Sequence, residues 1–112
     1  MVDERKYKET KYKDYLVSKN GDIYSLKTNK KLKKRIDSDG YQEVLLTINN
    51  KPVSKTVHRI VAETWIPNPD NKPIVNHKNG NRKDNRAENL EWVTSSENNL
   101  GKNQKRKHHY NI

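Results

Sequence analysis

Residues 74–98 read IVNHKNGNRKDNRAENLEWVTSSEN, and the order of residue types in this stretch decides the fold. The short apolar runs IVNH and LEWVT predict two strands, separated by a stretch, KNGNRKDNRAEN, that is too polar for a core. Thr94, Ser95, Ser96 and Glu97 match a capping box, in which the Thr94 hydroxyl accepts from the backbone N–H of Glu97 and the Glu97 carboxylate reaches back. A helix is therefore predicted from about Ser95. It is short, because Gly101 offers a C-terminal stop and KNQKRKHH beyond it is basic and without apolar period. Strand, polar loop, strand and helix let three polar residues converge: His77 at the end of the first strand, Asn89 before the second, and Asn98 in the first helical turn.

Upstream of this unit the spacing of apolar residues changes character. Val57, Ile60, Val61, Thr64 and Trp65 fall at i, i+3, i+4, i+7 and i+8, one face of a helix of about ten residues that Pro67 and Pro69 bring to an end. Before it, YLVS, KNGD and IYSL predict a hairpin whose Asn20-Gly21 turn supplies positive φ angles. KKLKKRI, a turn at Ser38 to Gly40, YQEVLLTI, NNK and PVSKTV continue the strand and turn rhythm. The first half therefore reads as a small antiparallel sheet edged with Lys30, Lys31, Lys33, Lys34 and Arg35. Residues 1–11 are charged and lack an apolar period, and are expected to form a loose arm.

Composition narrows the partners. The 112 residues carry a formal charge of +10 and only 29% hydrophobic residues, so the core is thin and the expected ligand is a polyanion. A solubilising surface charge is the plainer reading of the same excess. Nucleic acid fits better than a membrane, since no stretch approaches the apolar length of a spanning helix. The start, MVDERKYKET, has no apolar signal region, and the absence of Cys excludes a disulfide framework or a thiolate zinc site. A cytoplasmic protein is expected.

The segments VHRIVAETWIPNP, VNHKNGNRKDNRAENLEWVT and SSEN resemble the HNH endonucleases of phage and intron homing proteins, over about Val57 to Asn98. YLVSKNGDIYSL and DGYQEVLLTINNK resemble the DNA-binding module that often precedes this nuclease. The resemblance implies an α+β chain. It implies a β-rich DNA-binding module over residues 12–55, a ββα-metal nuclease core over residues 56–101, and a basic tail over residues 102–112. It further implies that His77 and Asn89 are catalytic, His77 as general base, and that Asn76 and Asn98 hold one divalent ion, Mg²⁺ or Mn²⁺. The activity implied is strand-nicking hydrolysis of double-stranded DNA by a monomer, with a phage-encoded protein acting in a bacterial host.

Residue chemistry agrees with these roles. Imidazole titrates near working pH and can take a proton from water attacking phosphorus. Asn89 has both donor and acceptor and is expected to bridge the loop and hold the His77 ring in line. Carboxamide oxygens are hard ligands suited to Mg²⁺ or Mn²⁺. Asn76, however, stands where the family often has an acidic ligand, and Gly101 where relatives commonly have a His, so a catalytically weak or silent DNA-binding module is the alternative.

Simpler readings stand beside these. His77 alone would read as a surface histidine, Asn89 as a turn residue, Asn98 as an exposed first-turn residue, and His58 as a helix histidine beside buried Val57. Trp65 and Trp92 read as core, and His108 and His109 as incidental tail residues. Lys30, Lys31, Lys33, Lys34, Arg35, Arg59, Lys78, Arg82, Lys83 and Arg86 are the candidate phosphate contacts. An RNA-binding sheet is a third possibility, although no known RNA-binding signature is present.

Overall fold

The computed structural model describes residues 6–98, so residues 1–5 of the expected arm, Gly101, His108, His109 and the rest of the 102–112 tail lie outside the described residues. The architecture is α+β. Strands β1 (Tyr7–Glu9), β2 (Tyr15–Ser18), β3 (Ile23–Ser25) and β4 (Lys30–Lys31) form one antiparallel sheet in chain order. Strands β5 (Arg35–Ile36), β6 (Gln42–Ile48) and β7 (Lys51–Thr56) form a second, and β8 (Ile74–His77) pairs with β9 (Leu90–Val93). Helix α1 (Val57–Trp65) lies between the second sheet and the β8–β9 hairpin in sequence, and touches β2, β6, β7, β8 and β9.

Helix α1 forms where the apolar spacing places it, burying Val57, Ile60, Val61 and, beyond the predicted face, Ala62. These residues meet Tyr15, Val17, Ile23, Val44, Leu46, Val75 and Leu90 in one cluster, so both halves of the chain contribute to one core. Trp65 and Trp92 lie half-buried at its rim, each with its indole N–H donating to a backbone carbonyl, Val17 and Ile66 respectively, at 3.1 Å. That arrangement buries the rings without orphaning their polar atoms.

Two local expectations are corrected. Residues Tyr7–Glu9 are not loose: as β1 they pair with Leu16 to Ser18 and edge the first sheet. The Asn20-Gly21 turn has positive φ only at Gly21 (+91°), whereas Asn49 (+52°) and Asn50 (+64°) are both left-handed and close the β6–β7 hairpin. The two-residue turn with two positive φ angles is thus at Asn49-Asn50, where asparagine tolerates that region better than most other side chains. Pro52 is accommodated because β7 is an edge strand. Among the described residues no helix is long and apolar enough to cross a membrane.

Candidate active site

The β8–β9 hairpin fixes the site through its register, Asn76 opposite Glu91 and His77 opposite Leu90. Because side chains alternate across a strand, Asn76 and Glu91 share one face while His77 and Leu90 share the other. On the first face the Asn76 amide donates to Glu91 Oε2 at 2.9 Å. A carboxylate therefore stands beside the position where the sequence offers only an amide. Its relation to Asn76 depends on the strand register rather than on proximity along the chain, so no local sequence signal marks it.

On the other face His77 is 6% exposed, and its Nε2 lies 2.6 Å from Asn85 Oδ1. Asn85, itself 4% exposed, donates through its Nδ2 to Gln42 Oε1 on β6 at 2.9 Å. The His77 ring also lies against His58 of α1, centroid to centroid 4.9 Å, and His58 stacks on Tyr41 at the same separation. The Arg82 guanidinium covers Tyr41 from the 78–86 loop at 4.7 Å and donates to the Asp39 carbonyl. Burial pushes His58 down to about 4, helped by repulsion from His77 and Arg59, so the ring beside His77 is neutral at ordinary pH. Its Nδ1 is buried without a hydrogen-bond partner among the described residues.

Asn89 ends the 3₁₀ turn Ala87–Asn89 that leads into β9. Its Oδ1 accepts from the Asn79 backbone N–H at 3.1 Å, and its Nδ2 donates to Asn79 Oδ1 at 3.0 Å and to the Asp84 carbonyl at 2.8 Å. The backbone closes the same ring, Lys78 N–H donating to the Asn89 carbonyl at 2.8 Å. Asn89 thus bridges the loop as expected. The amide at the His77 ring, however, is Asn85, not Asn89, which no apolar period or motif in the polar loop marks out.

Asn98 lies in the first turn of the helical stretch 95–98, half-buried, its backbone N–H donating to the Thr94 carbonyl at 2.9 Å. The capping box is formed: the Thr94 N–H donates to Glu97 Oε1 at 2.8 Å, and the Glu97 N–H to the Thr94 hydroxyl at 3.1 Å. The bond from the Thr94 backbone N–H, followed by that from Lys72, holds the Glu97 carboxyl below its ordinary range. Among the described residues no three His, Cys, Asp or Glu side chains are grouped to hold a metal ion. The side-chain oxygens of Asn76, Glu91 and Asn98 are of the hard type that Mg²⁺ or Mn²⁺ takes, and of the three the structure brings Asn76 and Glu91 into contact.

The basic candidates divide by their partners. Lys31 and Lys34 face Asp22, Arg35 donates to Glu43 and Ser54, and Arg59 reaches Glu63 and the Pro73 carbonyl. Arg86 is held by Asp84 and Glu88, and its guanidinium keeps the Asp84 carboxyl far below the usual carboxylate range. Lys30, Lys33 and Lys83 are exposed with no carboxylate partner among the described residues, and Lys78 is exposed beside His77.

Known proteins resemble this chain in sequence and in fold. Residues 55–100 match the family model described as HNH endonuclease. The DNA endonuclease I-HmuI of Bacillus phage SP01 is 40% identical over 80 residues, 71% of this chain and 46% of that protein. An uncharacterized HNH endonuclease of Acanthamoeba polyphaga mimivirus is 45% identical over 85 residues, 76% of this chain and 26% of that protein. A solved structure of DNA binding and cleavage by the HNH homing endonuclease I-HmuI matches with a TM-score of 0.80 at 36% identity, covering 95% of this chain and 61% of that one. The chain spans less than half the length of these two curated relatives.

Proposed function

We propose that this chain, whose residues 55–100 match the HNH endonuclease family model, hydrolyses one strand of double-stranded DNA with the help of a divalent cation, His77 serving as general base. The observation that carries the reading is the buried His77 ring, tied on one nitrogen to Asn85 and walled by His58 and Tyr41. Such a histidine is held in one orientation, unlike a solvated surface residue.

In the reaction, His77 takes a proton from the water that attacks phosphorus, the P–O3′ bond breaks, and the 3′ oxygen leaves. A divalent cation such as Mg²⁺ or Mn²⁺, if bound, would supply charge neutralisation for the reaction. Asn76 and Asn98 would hold it. Asn89 keeps the 78–89 loop in one conformation, so that His77 meets the phosphate at a fixed distance.

Residues 12–55 serve mainly to grip the duplex and residues 56–101 to cut it. Lys30, Lys33 and Lys83 make phosphate contacts, Lys78 contacts a phosphate beside His77, and Arg82 approaches the backbone from over Tyr41. Lys31, Lys34, Arg35, Arg59 and Arg86 contribute less, since neighbouring carboxylates already offset their charge. The chain acts as a monomer in the cytoplasm of a phage-infected bacterium, and one site per chain cuts one strand.

Nicking of supercoiled plasmid tests this. Wild type should convert it to open circles with Mg²⁺ or Mn²⁺ and not with chelator, and His77→Ala should lower the rate by at least about 100-fold. Duplex binding without cutting under any divalent ion would favour a silent DNA-binding module. Preference for single-stranded RNA would favour the sheet as an RNA platform.

A further inference from the structure

We propose that Asn85 is the positioning residue of His77, and that the first half of the chain, through Gln42 and the turn at Gly21, sets Asn85 in place. This deepens the proposed function and rests on His77 being its base. A carbonyl oxygen carries no hydrogen, so the 2.6 Å contact between His77 Nε2 and Asn85 Oδ1 requires the hydrogen on Nε2. Asn85 thereby selects the tautomer whose lone pair lies on Nδ1.

What points Asn85 that way comes from far along the chain. Gln42 Oε1 accepts from Asn85 Nδ2, which leaves Oδ1 as the atom presented to the ring. With the Gln42 oxygen in this place, a reversed Asn85 amide alone would set oxygen against oxygen. The backbone of Asn85 is pressed from the other side by the β2–β3 turn, where a Cβ at Gly21 would lie 3.3 Å from the Asn85 carbonyl oxygen and 3.4 Å from its Cβ. The Ala87 N–H donates to the Lys19 carbonyl at 2.7 Å, fastening the same turn to the end of the loop. Asn85 is thus wedged between two elements of the β-rich half while it touches the histidine of the other half.

The charged and titratable groups around the ring are compatible with this role. His58 faces His77 from α1 and is neutral, Tyr41 lies 6.0 Å away, and Asp37 and Arg59 act on His58 with opposite sign. Gln42 and Asn85 are uncharged. Hydrogen bonding to a neutral amide, rather than a carboxylate, fixes orientation without adding charge to a buried site.

The test uses the full chain labelled with ¹⁵N, reading the His77 ring by two-bond ¹H–¹⁵N correlation at a pH where the ring is neutral, together with plasmid-nicking kinetics. Wild type should show hydrogen on Nε2. Asn85→Leu, similar in size, should lose that tautomer preference and lower kcat about 10- to 100-fold with little change in KM. Gln42→Met, at a half-buried strand position, should produce the same change in smaller measure. Gln42→Glu keeps an acceptor for Asn85 Nδ2 and should retain the wild-type tautomer. If Asn85→Leu does not fold, the Gln42 pair decides alone.

Hydrogen on Nδ1 in wild type, or a tautomer and kcat unchanged in both Asn85→Leu and Gln42→Met, overturns the proposal. A wild type that never nicks, or a His77→Ala that nicks normally, instead overturns the reading of His77 as base. The ring spectrum still reports on Asn85 in that case.

Discussion

Replacing Asn89 should unfold the catalytic loop by an amount that the hydrogen bonds set. The side chain is 6% exposed and makes three hydrogen bonds, to the Asn79 N–H, the Asn79 side chain and the Asp84 carbonyl. At a net contribution of about 0.5–1.5 kcal/mol each, Asn89→Ala should cost roughly 2–4 kcal/mol. That is a large share of the roughly 5–15 kcal/mol that holds a domain together. With an m-value near 2 kcal/mol per molar urea, the midpoint should fall by about 1–2 M. Unfolding in urea followed by Trp65 and Trp92 fluorescence measures it, since both rings lie at the core rim.

The informative partner is Asn89→Asp, which preserves size and the acceptor for the Asn79 N–H but sets a carboxylate oxygen against the Asp84 carbonyl and Asn79 Oδ1. It should cost at least as much as Ala. An Asn89→Asp variant with the wild-type midpoint would refute the assignment of Asn89 as the brace of the loop.

Three other outcomes follow from the geometry. His58 is pushed from 6.5 to about 4 by burial and by the neighbouring His77 and Arg59, so the unfolded chain takes up its proton first as pH falls. The stability this gives is complete above about pH 6.5 and is lost toward pH 4, by at most about 3 kcal/mol, and thermal melts of His58→Gln should lack this acid-side decline. Gly21→Ala should cost about 1–2 kcal/mol in urea unfolding, because a side chain is strained at φ +91° and its Cβ meets Asn85. Lys33→Ala should lower the slope of log affinity against log salt for duplex binding by about 1, whereas Arg86→Ala, already paired with Asp84 and Glu88, should change it little.

The parts of the fold readable from sequence are those whose signal is local. Helix α1 follows from apolar spacing, the capping box from four adjacent residues, and the β8–β9 hairpin from two apolar runs around a polar loop. β1 was not legible because YKE has no apolar alternation, and its order comes from pairing with the buried β2. The turn at Asn20-Gly21 misled because the dipeptide permits two positive φ angles but the flanking Ser18–Asp22 bond needs only one.

The candidate site divides in the same way. His77, Asn89 and Asn98 stand out by motif. Asn85, Glu91, Tyr41 and His58 acquire their places only through contacts spanning strands and sheets, such as the 43-residue separation between Gln42 and Asn85.

Chemical rescue reaches the central claim most directly. Nicking of plasmid by His77→Ala in Mn²⁺ should be lost and then partly return, saturably, as imidazole is added in place of the missing ring, while Asn85→Leu, which keeps its own imidazole, should gain nothing. Wild-type nicking by His77→Ala without imidazole would contradict the account.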